Sequence, residues 1–170
     1  MSDITKAVVL AAGRGTRMKE LTDDIPKPMV EVKGTPILES IVRGLVSNGV
    51  TDILIVVGYR KDVITDYFGK GENFGCRISY IEQVVQDGTG RVVELAKDFA
   101  GQDPFILSYG DILVPAEAYA PLVEFQNVDG KLTVKIDEDV RKGGAVFIEE
   151  GMVTNLIEKP KADQPTSPYY

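Results

Sequence analysis

The sequence predicts an α/β fold of three layers, in which a mostly parallel central sheet lies between two layers of helices. Short apolar runs, such as residues 7–10 and 52–57, are typical of strands that are buried on both faces. These runs alternate with segments in which apolar residues recur at helical spacing, and this alternation favours a parallel sheet. With 170 residues, 44% of them hydrophobic and 26% charged, the chain is long enough for one domain, which we expect to span residues 1–170.

The individual elements follow from local patterns. Residues 29–32 form a predicted short strand that is closed by a turn at residues 33–34. A helix is predicted next, with Thr35 as its cap, Pro36 at its first position and Gly49 just after its end. The other predicted strands are residues 7–10, 52–57, 77–82 and 104–109, and the other predicted helices are residues 61–68, 88–99 and 115–126.

The C-terminal part of the chain has a different character. Three short strands are predicted at residues 132–136, 145–148 and 152–157, and only polar segments join them. Strands that follow one another without intervening helices favour a small antiparallel appendage to the main sheet.

Composition and charge exclude several kinds of partner. The formal net charge is −7, which argues against a general nucleic-acid surface. No apolar run reaches membrane-spanning length and the N-terminus lacks the features of a secretion signal, so we expect a cytoplasmic protein with no membrane partner. The single cysteine, Cys76, has no internal disulfide partner and no neighbours at metal-ligand spacing.

Residues 6–32 carry the strongest chemical signal. Gly13 and Gly15 follow the first predicted strand and let the backbone approach a ligand, so that successive N–H groups can face phosphate oxygens. Three basic residues, among them Arg17, lie within residues 14–19 with no acidic residue between them. The segment therefore predicts an anion-binding loop, although a Gly-x-Gly pattern alone is equally typical of an ordinary turn between a strand and a helix.

Two familiar phosphate-binding loops do not fit this segment. The Walker loop needs a Gly-Lys pair, and the dinucleotide fingerprint needs a third glycine where this chain has Met18. Between residues 10 and 38 the chain instead contains these sub-motifs in order: Leu10-Ala11-Ala12-Gly13, Gly15-Thr16-Arg17-Met18, Leu21-Thr22, Pro26-Lys27-Pro28-Met29, Gly34 and Pro36-Ile37-Leu38. In residues and spacing they closely resemble the signature loop of the sugar-phosphate nucleotidylyltransferases, of the kind that act on glucose 1-phosphate.

The resemblance implies a Rossmann-like domain that joins a nucleoside triphosphate and a sugar 1-phosphate to give a nucleotide sugar and pyrophosphate. It implies catalytic roles for Lys27, near the α-phosphate, and for Arg17, on the phosphates that leave. Nucleotide binding is implied for Leu10, Ala11, Ala12, Gly13, Gly15, Thr16, Gln83, Gly88 and Thr89. A phosphate monoester has a second pKa of about 6 and needs no general base, so the absence of histidine is no obstacle.

Asp111 is the candidate metal ligand. It follows Gly110 at the end of a predicted buried strand, where a carboxylate is well placed to hold Mg²⁺ against triphosphate oxygens. A turn-forming Gly-Asp pair or a helix cap is the alternative interpretation. The resemblance implies Mg²⁺ as the cofactor and Asp111 as its ligand, although Ser108 and Tyr109 precede the pair where the family usually has asparagine or a similar residue.

Two further segments resemble substrate-binding motifs of the family. Gln83, Gly88 and Thr89 lie where the family recognises the base, and a glutamine can offer both a donor and an acceptor to a pyrimidine edge. Glu158 and Lys159 lie where the family binds the sugar phosphate. Each pattern is weak alone, because strand-end glutamines and solvated Glu-Lys pairs are common.

The resemblance ends before two features that the family normally has, a strand with an Asn-Ala-Gly motif and a second metal-binding aspartate. We therefore expect an N-terminal part of a longer enzyme or a shortened form, in which homo-oligomer formation could cover an open sheet edge. Two alternatives stay open. One is a nucleotide-binding module without turnover, and the other is a cytidylyltransferase that acts on a non-sugar phosphate such as phosphocholine.

Overall fold

The structure is a computed structural model that describes residues 3–13, 25–84, 90–124, 128–137 and 139–170. The chain divides into two compact units, Met1–Asp129 and Gly130–Tyr170. The strands are β1 (Lys6–Leu10), β2 (Glu31–Val32), β3 (Thr35–Pro36), β4 (Asp52–Val57), β5 (Arg77–Glu82), β6 (Phe105–Tyr109), β7 (Gly144–Glu149) and β8 (Met152–Glu158). The helices are α1 (Ile37–Ser47), α2 (Lys61–Phe68), α3 (Gly90–Leu95), α4 (Lys97–Ala100) and α5 (Ala120–Val123). Short 3-10 turns lie at Lys27–Met29, Glu72–Phe74, Ala116–Tyr119 and Val140–Lys142.

The first unit is built on a parallel sheet of four described strands in the order β5-β4-β1-β6. In β1, Lys6 is level with Asp52 of β4 on one side and with Phe105 of β6 on the other. β4 and β5 are also parallel. All four carboxyl ends therefore lie at one edge, which is where ligands bind in sheets of this kind.

Residues 7–9 of β1 are all buried, and they divide between the two faces of the sheet because successive side chains of a strand point to opposite faces. Ala7 and Val9 lie in a core with buried residues of α1 and α2, which are Leu38, Ile41, Val42, Leu45, Ile64 and Phe68. Val8 lies in a second cluster with Leu54, Val56 and Ala96, and Phe99 of α4 packs against it. Helices thus cover both faces, and the predicted three-layer α/β fold is confirmed.

The first helix begins later than its sequence pattern predicts. Thr35 does not cap it but pairs with Val32 in the antiparallel hairpin of β2 and β3. Lys33 and Gly34 form the turn of this hairpin with φ of 54° and 80°, as a two-residue turn that matches strand twist requires. Pro36 is the N-cap of α1 and no side chain caps that end. The predicted turn is confirmed, whereas the predicted cap is wrong because Thr35 is committed to the hairpin.

Two other predicted helices are interrupted. The described part of the helix predicted at residues 88–99 starts at Gly90 and is divided at Ala96 into α3 and α4. The described part of the helix predicted at residues 115–126 is a 3-10 turn followed by the single turn of α5, with Pro121 near its start. Proline is tolerated there because its missing N–H would have no partner in the first turn. None of the helices in the described ranges is both long enough and apolar enough to span a bilayer.

The second unit contains the antiparallel hairpin of β7 and β8. Its prediction is confirmed, with a turn that includes Glu150 and Gly151 at positive φ. The strand predicted at residues 132–136 does not form, and Ile136 makes only an isolated bridge, to Tyr169. Tyr169 also bridges Val146 of β7, so the last residues of the chain lie beside the hairpin and supply pairing that the sequence assigned to residues 132–136.

Candidate functional site

The end of β1 is held closely by the two strands that flank it. The backbone N–H of Ala11 donates to the Val56 carbonyl oxygen at 2.8 Å, and that of Gly110 donates to the Leu10 carbonyl oxygen at 2.9 Å. A Cβ added to Gly110 would lie 2.8 Å from that same Leu10 oxygen. β6 can therefore approach β1 this closely only because glycine follows it.

The same close approach occurs on the β4 side. A Cβ added to Gly58, the residue after β4, would lie 2.8 Å from the Ala12 carbonyl oxygen and 3.0 Å from Ala12 Cβ. Sequence reasoning missed Gly58, although a glycine directly after a buried strand was the available signal. The backbone of residues 10–12 is thus fixed from both sides at the carboxyl edge of the sheet.

The predicted nucleotide-binding residues divide into described and undescribed ones. Ala11 and Ala12 are buried, Leu10 is half-buried, and Gly13 is exposed at the end of the described segment. A Cβ added to Gly13 would meet nothing within 4 Å. Gly15, Thr16 and Arg17 lie outside the described residues, as do Gly88 and Thr89. Their roles stay predictions.

Lys27 and Asp111 form an ion pair at this edge, although 84 residues separate them in the sequence. The Lys27 Nζ donates to Asp111 Oδ2 at 2.7 Å, and both side chains are 34% exposed. The sequence predicted each as a site residue but not their contact, since nothing in a sequence pattern relates positions so far apart.

The backbone around Lys27 explains where its side chain goes. Pro26, Pro28 and Met29 are buried, so the 3-10 turn is anchored on both sides of the lysine. The Met29 N–H donates to the Pro26 carbonyl oxygen at 2.8 Å and closes the turn. With its neighbours packed inward, Lys27 is the residue of this turn that extends toward Asp111.

The segment after Asp111 is attached to α1. Asn48 Nδ2 donates to the Ala116 carbonyl oxygen at 2.8 Å. Tyr119 is 3% exposed, and a Cβ on Gly44 of α1 would lie 3.0 Å from its ring. Burial raises the pKa of Tyr119, and its hydroxyl lies 3.4 Å from that of Ser108 on β6. These contacts attach the C-terminal end of residues 111–119 to α1 and to β6.

Gln83 lies at the same edge, directly after β5. Its N–H donates to the Val57 carbonyl oxygen at 2.9 Å, which extends the pairing of β4 and β5 by one residue. Its neighbour Glu82 is exposed and forms an ion pair with Lys61 at the start of α2. The predicted contact of Gln83 with a base stays a prediction.

Glu158 and Lys159 belong to the second unit. Lys159 has a positive φ of 45°, and its N–H donates to the Gly143 carbonyl oxygen. Its ammonium lies 4.0 Å from the Glu158 carboxylate, and the two side chains are 69% and 77% exposed. Such a pair is well hydrated and contributes little to stability, so both groups are accessible to a ligand.

Asp111 has the donor chemistry that Mg²⁺ requires. Within the described ranges, no three His, Cys, Asp or Glu side chains converge in a way that could hold a metal ion. Mg²⁺ in phosphate-transfer sites, however, commonly takes one or two carboxylates and completes its coordination with substrate phosphates and water. A single partly exposed carboxylate at the sheet edge fits that pattern.

Comparison with known proteins decides the family. The family model described as nucleotidyl transferase matches residues 6–169. The chain belongs to this family. The resemblance of the signature loop to sugar-phosphate nucleotidylyltransferases is thereby confirmed.

Individual relatives of this nucleotidyl transferase chain support the same family assignment. It is 35% identical over 161 residues to the bifunctional protein GlmU of Methanococcus maripaludis, covering 95% of this chain and 37% of that protein. It is 37% identical over 162 residues to the UTP–glucose-1-phosphate uridylyltransferase AglF of Haloferax volcanii, covering 92% of this chain and 65% of AglF. The chain thus spans a little over a third of GlmU and about two thirds of AglF.

A solved structure supports the fold. A Bacillus anthracis protein assigned as a glucose-1-phosphate thymidylyltransferase, crystallised with sucrose, superimposes with a TM-score of 0.80 at 28% identity. The match covers 96% of this nucleotidyl transferase chain and 67% of the other. The two proteins therefore share nearly the whole arrangement of elements described above.

Proposed function

We propose that this nucleotidyl transferase joins a nucleoside triphosphate to a sugar 1-phosphate and releases pyrophosphate. The observation that carries the proposal is the Lys27–Asp111 pair at the carboxyl edge of the parallel sheet, directly beside the end of β1. An ammonium and a carboxylate at such an edge provide one group for phosphate and one for a divalent cation. The names of relatives agree, since AglF acts on UTP and glucose 1-phosphate by its description.

The proposed reaction requires that the two substrates are positioned and that the charge of the phosphates is neutralised. An oxygen of the sugar phosphate attacks the α-phosphorus, a new P–O bond forms, and the bond to the bridging oxygen breaks as pyrophosphate leaves. Lys27 neutralises charge at the α-phosphate, and Arg17 is proposed to do so at the leaving phosphates. Mg²⁺ held by Asp111 would supply further charge neutralisation when bound. The attacking phosphate is largely ionised at pH 7, since its second pKa is about 6, so no residue needs to remove a proton.

The remaining residues are proposed to select and hold the substrates. The fixed backbone of residues 10–12 would let the nucleotide lie against main chain, and Gln83 would face the base with Gly88 and Thr89. Glu158 and Lys159 would bind the sugar and its phosphate. We also propose a cytoplasmic location, where nucleoside triphosphates and Mg²⁺ are available together.

The decisive experiment measures pyrophosphate release by the 170-residue chain with Mg²⁺. The donors are UTP, dTTP, CTP, ATP and GTP, and the acceptors are glucose 1-phosphate, N-acetylglucosamine 1-phosphate and phosphocholine. We expect pyrophosphate release that needs one donor and one sugar acceptor. In Lys27→Ala the rate of release should fall at least about 100-fold, as expected when one preorganised hydrogen-bond donor to the transition state is removed. Lys135→Ala is the matched control, because it breaks a Lys-Asp pair of the same 2.7 Å length in the second unit.

Two results would argue against the proposal. Unchanged turnover in Lys27→Ala would remove Lys27 from the mechanism. Release with phosphocholine but with no sugar phosphate would assign a different acceptor class.

A second candidate is a nucleotide-binding module without turnover. It is favoured by the finding that no three His, Cys, Asp or Glu side chains converge on a metal position within the described ranges. It predicts triphosphate binding by calorimetry with no pyrophosphate released. Turnover by the 170-residue chain would exclude it.

A further inference from the structure

The Lys27–Asp111 pair has a consequence for the order in which ligands bind. Asp111 Oδ2, an oxygen that a divalent cation would take, already accepts a hydrogen bond from Lys27 at 2.7 Å. Mg²⁺ binds oxygen at about 2.0–2.1 Å, so a cation on either oxygen of this carboxylate would lie within roughly 6 Å of the ammonium. The ion and the ammonium would repel each other at that distance.

The surroundings do not relieve this repulsion. Both side chains are only 34% exposed, so water screens the pair incompletely. No other described acidic side chain pairs with Lys27, and no three acidic, histidine or cysteine side chains converge on a metal position in the described ranges. With the charge of Asp111 already balanced by Lys27, the described part of the site offers a lone divalent cation little attraction.

A triphosphate changes this balance. It brings several negative charges and several oxygens, so it can accept the Lys27 ammonium and supply further oxygen ligands to a metal. When Lys27 turns to the phosphates, the Asp111 carboxylate is released.

We propose that Lys27 occupies the Asp111 carboxylate in the nucleotide-free chain in place of a divalent cation, so that the cation enters the site only together with the triphosphate. This rests on the proposed function, because it assumes that a triphosphate is the ligand. Lys27 is then a residue that couples the two ligands as well as one that neutralises phosphate charge. Since coupling between ligands is reciprocal, the cation must raise triphosphate affinity by the same factor by which the triphosphate raises cation affinity.

The test is a double-mutant cycle on triphosphate affinity, measured by calorimetry with UTP, dTTP and CTP, once in EDTA and once in Mg²⁺. In EDTA, Asp111→Asn frees Lys27 and should tighten binding about two- to fivefold, the range expected for a partly exposed ion pair. In Mg²⁺ the same variant should bind more weakly than the wild type. In a Lys27→Met background the gain in EDTA should disappear. A gain that persists in that background, or an Asp111→Asn effect of the same sign in both conditions, would overturn the proposal.

A second arm needs no nucleotide and separates failure of this proposal from failure of the proposed function. Mn²⁺ alone is titrated and followed by water proton relaxation. Mn²⁺ bound to Lys27→Met should enhance water proton relaxation more than Mn²⁺ with Lys135→Met, which changes the net charge equally. The double variant Lys27→Met/Asp111→Asn should not show this additional enhancement. Thermal unfolding verifies that each variant is folded, and Lys27→Gln replaces Lys27→Met if it is not. If no triphosphate binds, the proposed function fails, and the Mn²⁺ titration alone tests whether Lys27 keeps a cation from Asp111. Equal relaxation enhancement in Lys27→Met and Lys135→Met would then refute this role of Lys27.

Discussion

Replacing Gly110 with alanine tests the close packing that positions Asp111. The added Cβ would lie 2.8 Å from the Leu10 carbonyl oxygen, 3.2 Å from Ala11 Cβ and 3.3 Å from Ala11 Cα. None of these atoms belongs to a side chain that can rotate away, so the backbone of β1 or of β6 must shift. Overpacking of this kind typically costs about 1–3 kcal/mol. For a chain of this size each kcal/mol lowers Tm by about 2–4 °C, so we expect a decrease of roughly 3–10 °C.

The assay is thermal unfolding followed by circular dichroism, with Gly130→Ala as the matched control. A Cβ on Gly130 meets nothing within 4 Å, and its φ is not in the left-handed region. The control should therefore stay within about 0.5 kcal/mol of the wild type. Gly58→Ala, with its 2.8 Å contact to the Ala12 carbonyl oxygen, should resemble Gly110→Ala. If Gly110→Ala unfolds at the same temperature as the control, the backbone is not held as closely as the structure indicates.

Two further predictions concern stability. Tyr119→Ala should lower the free energy of unfolding in urea by about 3–5 kcal/mol, because it empties a buried ring position against Gly44. Tyr119→Phe keeps the ring and should lower it by less than about 1.5 kcal/mol. Equal losses in the two variants would assign the effect to the hydroxyl instead. The hydrogen bond from Tyr67 holds the pKa of Glu39 below its ordinary value of 4.5, so this bond stabilises the folded chain fully above that pH and less as the pH falls through the lowered pKa. The difference in free energy of unfolding between the wild type and Tyr67→Phe should therefore shrink in urea titrations below about pH 4.5, and a difference independent of pH would contradict this.

Much of the fold could be predicted because its strongest elements are continuous apolar runs or clear helical repeats bounded by glycine. β4, α2 and β5 begin and end where the sequence predicts them. The cap at Thr35 could not be predicted correctly, since a hairpin turn two residues earlier competes for the same residue. The strand predicted at residues 132–136 did not form for a longer-range reason. Tyr169, at the far end of the second unit, bridges Val146 of β7 as well as Ile136, so it takes the place beside β7.

The candidate site was predictable in its parts but not in its assembly. Lys27 and Asp111 stand out in the sequence by their motifs, yet their contact depends on how β1 and β6 meet, across 84 residues. The supporting contacts of Tyr119 with Gly44 and of Asn48 with Ala116 carry no local signal beyond an unexpected glycine inside a helix. Residue types thus indicated the chemistry, while the positioning depended on the packing.

The two glycines beside the end of β1 bear on how such a site can diversify. Between Gly58 and Gly110 the floor of the site is main chain, and a larger residue at either glycine collides with a carbonyl oxygen. Selection for a new substrate has few side chains to exchange there without loss of the fold. The rim instead carries side chains, such as Gln83 after β5 and the exposed Ile112 and Leu113 after Asp111. A library that aims to change the proposed base or sugar preference should therefore randomise these rim positions and leave the floor unchanged.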